Sequence, residues 1–218
     1  MTIITEEGNL VDPTHTVAIN SNLWENHPWS EGEWSPSKQW EIALISFFTD
    51  KYVNPGGTTL EIGVGSGRWC GYLQKVSKEF IGIDLTDRAI QMCKTKYSNV
   101  PNMSFYQNNG TDLSCISDQV IDFIWSFDVF VHISPHDVRS YIKELNRVMK
   151  VGAIAVIHHG RSANPEGWRS TLTTEMFNAF LAENNLTLLE QRKTWGKNYQ
   201  YHVTHKDDIS IFTKKGSI

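Results

Sequence analysis

Short apolar runs alternate with segments of helical period along most of this 218-residue chain. Because such alternation is satisfied by a parallel sheet with helices on both faces, the chain is predicted to be an α/β protein with a seven-stranded, mostly parallel, doubly wound sheet. No helical pattern separates the last two strands, so they are predicted to form an antiparallel hairpin at the sheet edge. The predicted strands are residues 59–64, 80–84, 103–107, 120–127, 153–158, 186–192 and 208–213, and the predicted helices are 36–53, 68–75, 87–97, 135–149 and 174–183.

The chain divides into an N-terminal arm, residues 1–36, and one domain, residues 37–218. Prolines, glycines and asparagines interrupt any period in the arm, which predicts irregular backbone there. Ser35 followed by Pro36 is typical of an N-cap and the first residue of a helix, so the domain is expected to begin with a helix. A chain of this length is the usual size of a single domain.

Charge and composition argue against several classes of protein. The net charge is −4 and the longest basic cluster is one Lys-Lys pair near the C-terminus, which disfavours nucleic acid as a partner. The apolar runs are too short to span a membrane, and residues 1–7 lack the pattern of a signal peptide. The 3 cysteines are widely spaced and suggest neither a disulfide framework nor a zinc site. We expect a cytoplasmic protein, monomeric or homodimeric, without nucleic-acid or membrane partners.

A glycine-rich turn follows the first predicted strand, in the sequence LEIGVGSGRW from Leu60 to Trp69. Gly63, Gly65 and Gly67 permit a sharp turn and a close approach of the backbone to a ligand, where any Cβ atom would clash. The spacing GxGxG differs from the GxGxxG of dinucleotide-binding enzymes. Asp84 ends the second predicted strand about twenty residues after the turn, where a carboxylate accepts the hydroxyls of a ribose.

These residues resemble the first two motifs of the class I S-adenosylmethionine (SAM)-dependent methyltransferases, and the resemblance extends from about residue 58 to the C-terminus. It implies a Rossmann-like methyltransferase fold with SAM as the cofactor. Glu61 and the glycines would surround the methionine half of SAM, the turn at 109–111 would bind adenine, and the end of the fourth strand would line the methyl channel. The cofactor residues so implied are Glu61, Gly63, Gly65, Gly67, Asp84, Leu85, Asn109, Gly110, Thr111, Ser126 and Phe127.

Four further side chains are candidates for chemistry. Arg68, at the start of the helix after the glycine turn, is expected to bind the SAM carboxylate. Transfer to a hydroxyl requires removal of a proton, and histidine titrates in the right range. His132 follows the fourth predicted strand, and His158 and His159 end the fifth, so each lies at the ligand-binding edge of the sheet. Each is a candidate general base or a structural residue, and His132 occupies the position where similar sugar methyltransferases place a histidine.

A bound metal is not expected. The metal-dependent small-molecule O-methyltransferases use a cluster of carboxylates on the loops after these strands. Here Asp128 ends the fourth predicted strand, but histidines end the fifth. Magnesium prefers oxygen ligands, so this edge of the sheet does not predict a magnesium site.

Four of the 8 tryptophans in the chain lie between residues 24 and 40, three of them in the arm and Trp40 just after it. Two interpretations remain open. The rings either staple the arm to the domain, or form a lid that folds over SAM and stacks against the acceptor. In the second interpretation Trp168 and Arg169, in the loop after the fifth strand, would face the lid from the other side.

The arm sequence HPWSEGEWS and the GRW of the glycine turn resemble a subgroup of small bacterial methyltransferases that modify sugars, polysaccharides and natural products. The resemblance implies a small-molecule acceptor, with a hydroxyl of a sugar or natural product as the methylated group. Alternatives are an N- or carboxyl-methyltransferase acting on a small metabolite or peptide, and a non-catalytic SAM-binding protein. A nicotinamide-dependent Rossmann oxidoreductase is a further alternative, which the glycine spacing fits poorly.

Overall fold

The structure, a computed structural model, describes residues 3–4, 10–11, 15–30, 34–163 and 168–216. The strands are β1 (Ile3–Ile4), β2 (Leu10–Val11), β3 (Gly57–Ile62), β4 (Ser77–Asp84), β5 (Met103–Gln107), β6 (Ile121–Phe130), β7 (Met149–Gly160), β8 (Leu186–Arg192), β9 (Thr194–Trp195), β10 (Tyr201–His202) and β11 (Asp207–Lys214). The helices are α1 (Val17–Glu25), α2 (Lys38–Tyr52), α3 (Cys70–Leu73), α4 (Asp87–Lys96), α5 (Pro135–Val148) and α6 (Thr174–Glu183).

One seven-stranded sheet organises the domain, in the order β5-β4-β3-β6-β7-β11-β8. The strands from β5 to β7 are parallel, and β11 is antiparallel to both β7 and β8. The predicted α/β class, the mostly parallel sheet and the C-terminal hairpin are therefore confirmed. In the hairpin, β8 takes the edge and β11 is inserted beside β7. The chain leaves β3 toward β4 on one side and returns with β6 on the other, so a crevice opens between β3 and β6 at their carboxyl ends.

Helices cover both faces of the sheet and bury two apolar layers. The residues of β6 alternate between them: Trp125 and Phe127 face α2, α3 and α4, whereas Ile124 faces α5 and α6. The buried stripe of α5 shows why this helix forms where its period predicts it. Ser134 caps its N-terminus by accepting the amide hydrogen of Asp137, and five of its apolar side chains are buried. Full burial of such a side chain contributes about 1.5–3 kcal/mol.

The arm contains a helix that its sequence did not predict. Helix α1 begins after Thr16, whose side-chain oxygen accepts the amide hydrogen of Ile19. The helix has no continuous apolar stripe. It is held by polar contacts, in particular from the Asn20 amide to the main-chain oxygen of His132, 2.8 Å away. The predicted arm residues 1–2, 5–9, 12–14 and 31–33 lie outside the described residues.

Two helix boundaries differ from their predictions. The N-cap of α2 is Ser37 and its first residue is Lys38, so the predicted cap at Ser35 is wrong. The helix predicted at 68–75 is one α-turn, Cys70–Leu73, followed by the 3₁₀ turn Gln74–Val76. Gly71 lies inside that short segment, and glycine lowers helix stability. In the part of the chain that the structure describes, no helix is long and apolar enough to cross a membrane.

Candidate functional site

The glycine turn at the end of β3 forms one wall of the crevice. Gly63 and Gly65 have φ of +78° and +51°, in the left-handed region that favours glycine. A Cβ atom on Gly63 would lie 2.3 Å from Val129, and one on Gly65 would lie 3.0 Å from the ring of Trp29. Both the conformation and the space therefore require glycine here. Gly67, by contrast, packs on α4, where the Tyr97 hydroxyl donates to its carbonyl oxygen.

The carboxylate of Asp84 closes the turn at the end of β4. Its Oδ2 accepts the Gly65 amide hydrogen at 3.0 Å, and its Oδ1 accepts from the amide and hydroxyl of Thr86 at 3.0 and 2.9 Å. A carboxylate oxygen can accept about two hydrogen bonds, so Oδ2 keeps a lone pair for a ligand. Burial raises the pKa of this carboxyl, and these donors oppose that shift.

A first cavity runs along the turn beneath the arm. Eight residues predicted from the sequence line it: Gly63, Gly65, Arg68, Asp84, Leu85, Gly110, Phe127 and His132. The arm contributes Val17, Asn20, Trp24, Trp29 and Trp34 to the same walls. The first cavity therefore lies between the glycine turn and the arm.

Two predicted cofactor residues have side chains committed elsewhere. The Asn109 side-chain oxygen accepts from the amides of Thr111 and Asp112 within its own exposed turn. The hydroxyl of Ser126 is buried and donates to the Ile62 carbonyl at 2.9 Å. Asn108 lines the first cavity in place of Asn109. The sequence signal for it is that Asn108 directly follows β5, where its amide hydrogen bonds the carbonyl oxygen of Asp84.

Glu61 lies within β3, below the glycine turn. Its side chain is 1% exposed, and neither carboxylate oxygen has a hydrogen-bond partner among the described residues. Burial raises the pKa of Glu61 to about 8, and the nearby Cys70 thiol and Arg68 guanidinium only partly oppose that shift. A buried carboxyl without a hydrogen-bond partner is expected either to bind a ligand or to stay protonated, and Glu61 lies next to the glycine turn.

A second cavity, of about 540 Å³, adjoins the first. The two cavities share Trp24, Trp34, Phe127, Asp128 and His132, which form the wall between them. The far walls of the second cavity come from α2, the loop after β7 and the start of β11. Its lining includes Trp40, Trp168 and Arg169 together with His158 and Asp207.

His132 stands in the shared wall in a defined tautomer. Its Nδ1 lies 2.5 Å from the main-chain oxygen of Trp168. Because a carbonyl oxygen only accepts, Nδ1 carries the hydrogen and Nε2 keeps its lone pair. Burial lowers the pKa of His132 to about 4, with the Trp168 carbonyl acting in the opposite direction. The ring is therefore neutral at neutral pH and able to accept a proton.

The adjacent histidines of β7 point to opposite faces of the sheet. His159 is fully buried against α6, where it stacks on Phe177 at 3.9 Å and bonds the Ser210 hydroxyl at 2.7 Å. Burial lowers its pKa to about 3. His159 lines neither cavity, whereas His158 faces the second cavity and stacks on Phe127 at 4.3 Å.

Arg68 is oriented by Asp128, the residue whose carboxylate was weighed above as a metal ligand. Its Nη2 lies 2.7 Å from Asp128 Oδ2, and its guanidinium lies 4.5 Å from the ring centroid of Trp69. These contacts hold the guanidinium at the wall of the first cavity. Among the described residues, no group of three His, Cys, Asp or Glu side chains has the geometry of a metal site.

The residues of the first cavity fit SAM. Asp84 offers an acceptor for ribose hydroxyls, and Arg68 offers charge for a carboxylate. Val17, Leu85 and Gly110 line the same cavity, and their apolar surface suits a flat base. The rings of Trp24 and Phe127 suit a sulfonium cation, because aromatic faces attract positive charge.

The comparisons with known proteins point to the same cofactor. The family described as "Methyltransferase domain" matches residues 60–157. A phosphoethanolamine N-methyltransferase from Triticum aestivum is 28% identical over 98 residues, which are 44% of this chain and 19% of that protein. The chain therefore spans about a fifth of the wheat relative's length.

Two solved structures illustrate the fold. A TehB-like SAM-dependent methyltransferase from Corynebacterium glutamicum superposes with a TM-score of 0.62 at 23% identity, over 80% of this chain and 87% of that one. The [4+2]-cyclase SpnF superposes with a TM-score of 0.67 at 14% identity, over 86% of this chain and 85% of that one. At these identities the likeness concerns the fold alone.

The chain thus has the fold of the class I SAM-dependent methyltransferases, and its residues 60–157 match the family described as "Methyltransferase domain". The resemblance inferred from the glycine turn and Asp84 is confirmed. The family match and the fold together indicate SAM as the cofactor.

Proposed function

We propose that this protein is a SAM-dependent methyltransferase that methylates a hydroxyl of an uncharged small molecule, a sugar or natural product, with His132 as general base. The observation that supports the proposal best is the shared wall. One cavity fits SAM, a second one adjoins it, and a neutral histidine stands between them. The predicted cytoplasmic location belongs to the same proposal.

Bound SAM supplies the methyl group on a sulfonium, ready for in-line transfer. The chain's own part is to hold the acceptor oxygen in line and to keep water out, which lowers the entropic cost of reaching the transition state. Nε2 of His132 would take the proton of the acceptor hydroxyl, while SAM held by the first cavity would supply the methyl group and leave as the neutral thioether. The Trp168 carbonyl then stabilises the imidazolium through Nδ1–H.

The charges of the second cavity favour an uncharged acceptor. Arg169 forms two hydrogen bonds of 2.7 Å with Asp207, so its guanidinium is already matched by a carboxylate. Asp128 is likewise paired with Arg68. The remaining lining is largely aromatic, and indole rings stack well against the apolar face of a sugar ring or against a flat natural product.

The arm is part of the proposal as a lid. Trp29 lies against Gly65, and its ring stacks with that of Trp24 at 5.7 Å between centroids. Helix α1 is fixed to the domain through Asn20, and the Glu25 carbonyl accepts from Arg88. A cofactor that enters the first cavity has to pass these rings. The contacts that attach the arm to the domain are therefore also the contacts that would close the lid.

An N-methyltransferase acting on a small amine is the second candidate, because the wheat relative carries that activity in its name. An amine acceptor loses its proton readily, so transfer to nitrogen would depend less on His132. The cyclase among the fold's neighbours also means that activity has to be measured directly.

The test is transfer of a radiolabelled methyl group from SAM to uncharged glycosides, amines and carboxylates. Binding of S-adenosylhomocysteine (SAH), the product that SAM leaves after methyl transfer, and binding of NAD⁺ are measured by calorimetry. The proposal expects SAH to bind, NAD⁺ not to bind, and the label to appear in hydroxylated acceptors. Binding of NAD⁺ in place of SAH, or label confined to amines or carboxylates, contradicts it.

A further inference from the structure

Five ionisable side chains, bases and acids in alternation, form a continuous chain beneath the second cavity. Arg68 contacts Asp128 at 2.7 Å, Asp128 lies 3.2 Å from His158 Nδ1, and His158 Nε2 lies 3.3 Å from Asp207. Asp207 completes the chain with a bidentate pair to Arg169, both bonds 2.7 Å long. We name this group the ion chain.

The middle of the ion chain is shielded from water. His158 is 2% exposed and Asp207 is not exposed at all. Two carboxylates this close to one buried ring favour its charged form, since opposite charges attract strongly where water is excluded. The pKa of His158 is accordingly raised by Asp128 and Asp207, although burial acts in the opposite direction, and the pKa values of both acids are lowered.

The two ends of the ion chain serve the two cavities. Arg68 and Asp128 line the first cavity. Arg169 lies beside Trp168, whose carbonyl fixes the tautomer of His132. The chain thus links the residue expected to bind the SAM carboxylate to the loop that orients the general base.

We propose that His158 is a positioning residue whose imidazolium holds Asp128 and Asp207 together, and thereby fixes the cofactor end and the acceptor end of the site relative to each other. The inference rests on the proposed function. An imidazolium carries a hydrogen on both nitrogens, so it attracts both carboxylates at their ion-pair distances of 3.2 and 3.3 Å, whereas a neutral ring has only one N–H. Loss of the proton from His158 therefore breaks one of the two links.

If His158 is neutral, a different hydrogen-bond arrangement is available to it, and the test must distinguish this arrangement from the imidazolium. The Asp128 amide nitrogen also lies 3.2 Å from Nδ1, so a neutral His158 would accept that hydrogen. In that arrangement the Nδ1 lone pair is used by the amide, whereas in the imidazolium Nδ1 would donate to Asp128 Oδ1, which lies equally near at 3.2 Å. The charged groups around His158 are Asp128 and Asp207 in contact, Arg68 and Arg169 behind them, and His159 on the opposite face of the same strand.

The protonation state is measured by long-range ¹H–¹⁵N correlation of the histidine rings at neutral pH, with the His158 ring assigned through its bonds to its own backbone amide in the wild-type protein. The proposal expects hydrogen on both ring nitrogens. A single neutral tautomer with an unprotonated Nδ1 overturns it. This measurement needs only the wild-type protein in solution, so it decides the matter even if His158→Gln folds poorly.

The positioning role is measured as SAH affinity against pH in wild type, His158→Gln and the control His159→Gln. We expect wild-type affinity to fall as rising pH removes the His158 proton. His158→Gln should bind SAH about 10-fold more weakly at neutral pH, as for loss of an interaction with a charged group, and it should lack the fall that loss of the His158 proton causes. Titration of Glu61, whose pKa is about 8, affects all three proteins alike. His159→Gln should keep the wild-type pH profile.

The same pH profile in wild type and His158→Gln overturns the inference, because a merely structural histidine would lower stability without changing the profile. Failure of the wild-type protein to bind SAH at any pH contradicts the proposed function instead. In that case the ring-nitrogen measurement still decides whether His158 joins the two carboxylates.

Discussion

At the scale of the residue, His132 carries the chemistry of the proposal. Replacement by Gln should lower methyl transfer to a hydroxyl by about 10²–10⁴-fold, the usual effect of removing a general base. SAH affinity should change little, since the ring stands in the wall beyond the glycine turn. His136→Gln, an exposed histidine of α5, is the matched control.

The pH dependence of His132 follows from its lowered pKa. Because burial lowers that pKa to about 4, the ring is in its proton-accepting form at all pH values well above 4. The rate of methyl transfer should therefore keep its base-dependent component down to about this pH and lose it below. An acid limb near the ordinary histidine pKa of about 6.5 would show that another group is the base.

Asp84 is the residue on which ribose recognition depends. Asp84→Ala should weaken SAH binding by about 1.5–3 kcal/mol, typical for hydrogen bonds to a charged group. Part of this loss will come from the glycine turn, because Asp84 also accepts the Gly65 amide hydrogen. Calorimetry on Asp84→Ala and on the exposed control Asp87→Asn measures it, and equal affinities would contradict the assignment.

Glu61 makes folding stability depend on pH. Its pKa is raised from 4.5 to about 8, so the folded protein keeps a proton that the unfolded chain releases. That contribution is fully present below pH 4.5 and is lost as the pH rises through 8. Without ligand, the melting temperature of wild type should fall relative to Glu61→Gln between these pH values. Glu79→Gln, at an exposed position of β4, should follow the wild type.

At the scale of the element, the strand–turn–helix unit depends on Gly65. Gly65→Val should weaken SAH binding by at least about 100-fold, roughly 2.7 kcal/mol, because its side chain would enter the space between the turn and Trp29. Gly152→Val is the matched control, since Gly152 has φ of +82° but nothing within 4 Å of its added Cβ atom. Both glycines have positive φ, but only the Gly65 side chain would meet a neighbour in the first cavity, so only Gly65→Val should lose SAH.

The elements that were predicted well are those whose signal is local. Helix α6 begins and ends at the predicted residues, and β4 ends at Asp84 as expected. Helix α1 was missed because its stability comes from a contact made far away in sequence, between Asn20 and the loop of His132. A period search detects an apolar stripe and not such a contact.

The candidate site shows the same division. The glycine turn and Asp84 are local motifs, and both line the first cavity as expected. Which of two neighbours faces a cavity depends on register and on turn geometry. The sequence therefore left His158 and His159 equivalent, and it favoured Asn109 where Asn108 lines the cavity. Asp207 was missed because only the insertion of β11 beside β7 brings it to His158.

At the scale of the whole molecule, the fold brings two cavities to one edge of the sheet and covers the first with the arm. Five residues form the wall between the cavities, and they come from the arm and from the segment that ends β6. This arrangement, more than any single side chain, makes methyl transfer the function that fits best. Methyl transfer between the cavities requires that the sulfur atom of SAM, bound in the first cavity, face the second cavity.

A crystal structure of the protein with SAH tests that requirement most directly. The account predicts SAH in the first cavity, with its ribose hydroxyls on Asp84 and its sulfur at the wall formed by Phe127, Asp128 and His132, facing the second cavity. SAH bound outside the first cavity, or with its sulfur turned away from that wall, would contradict the account.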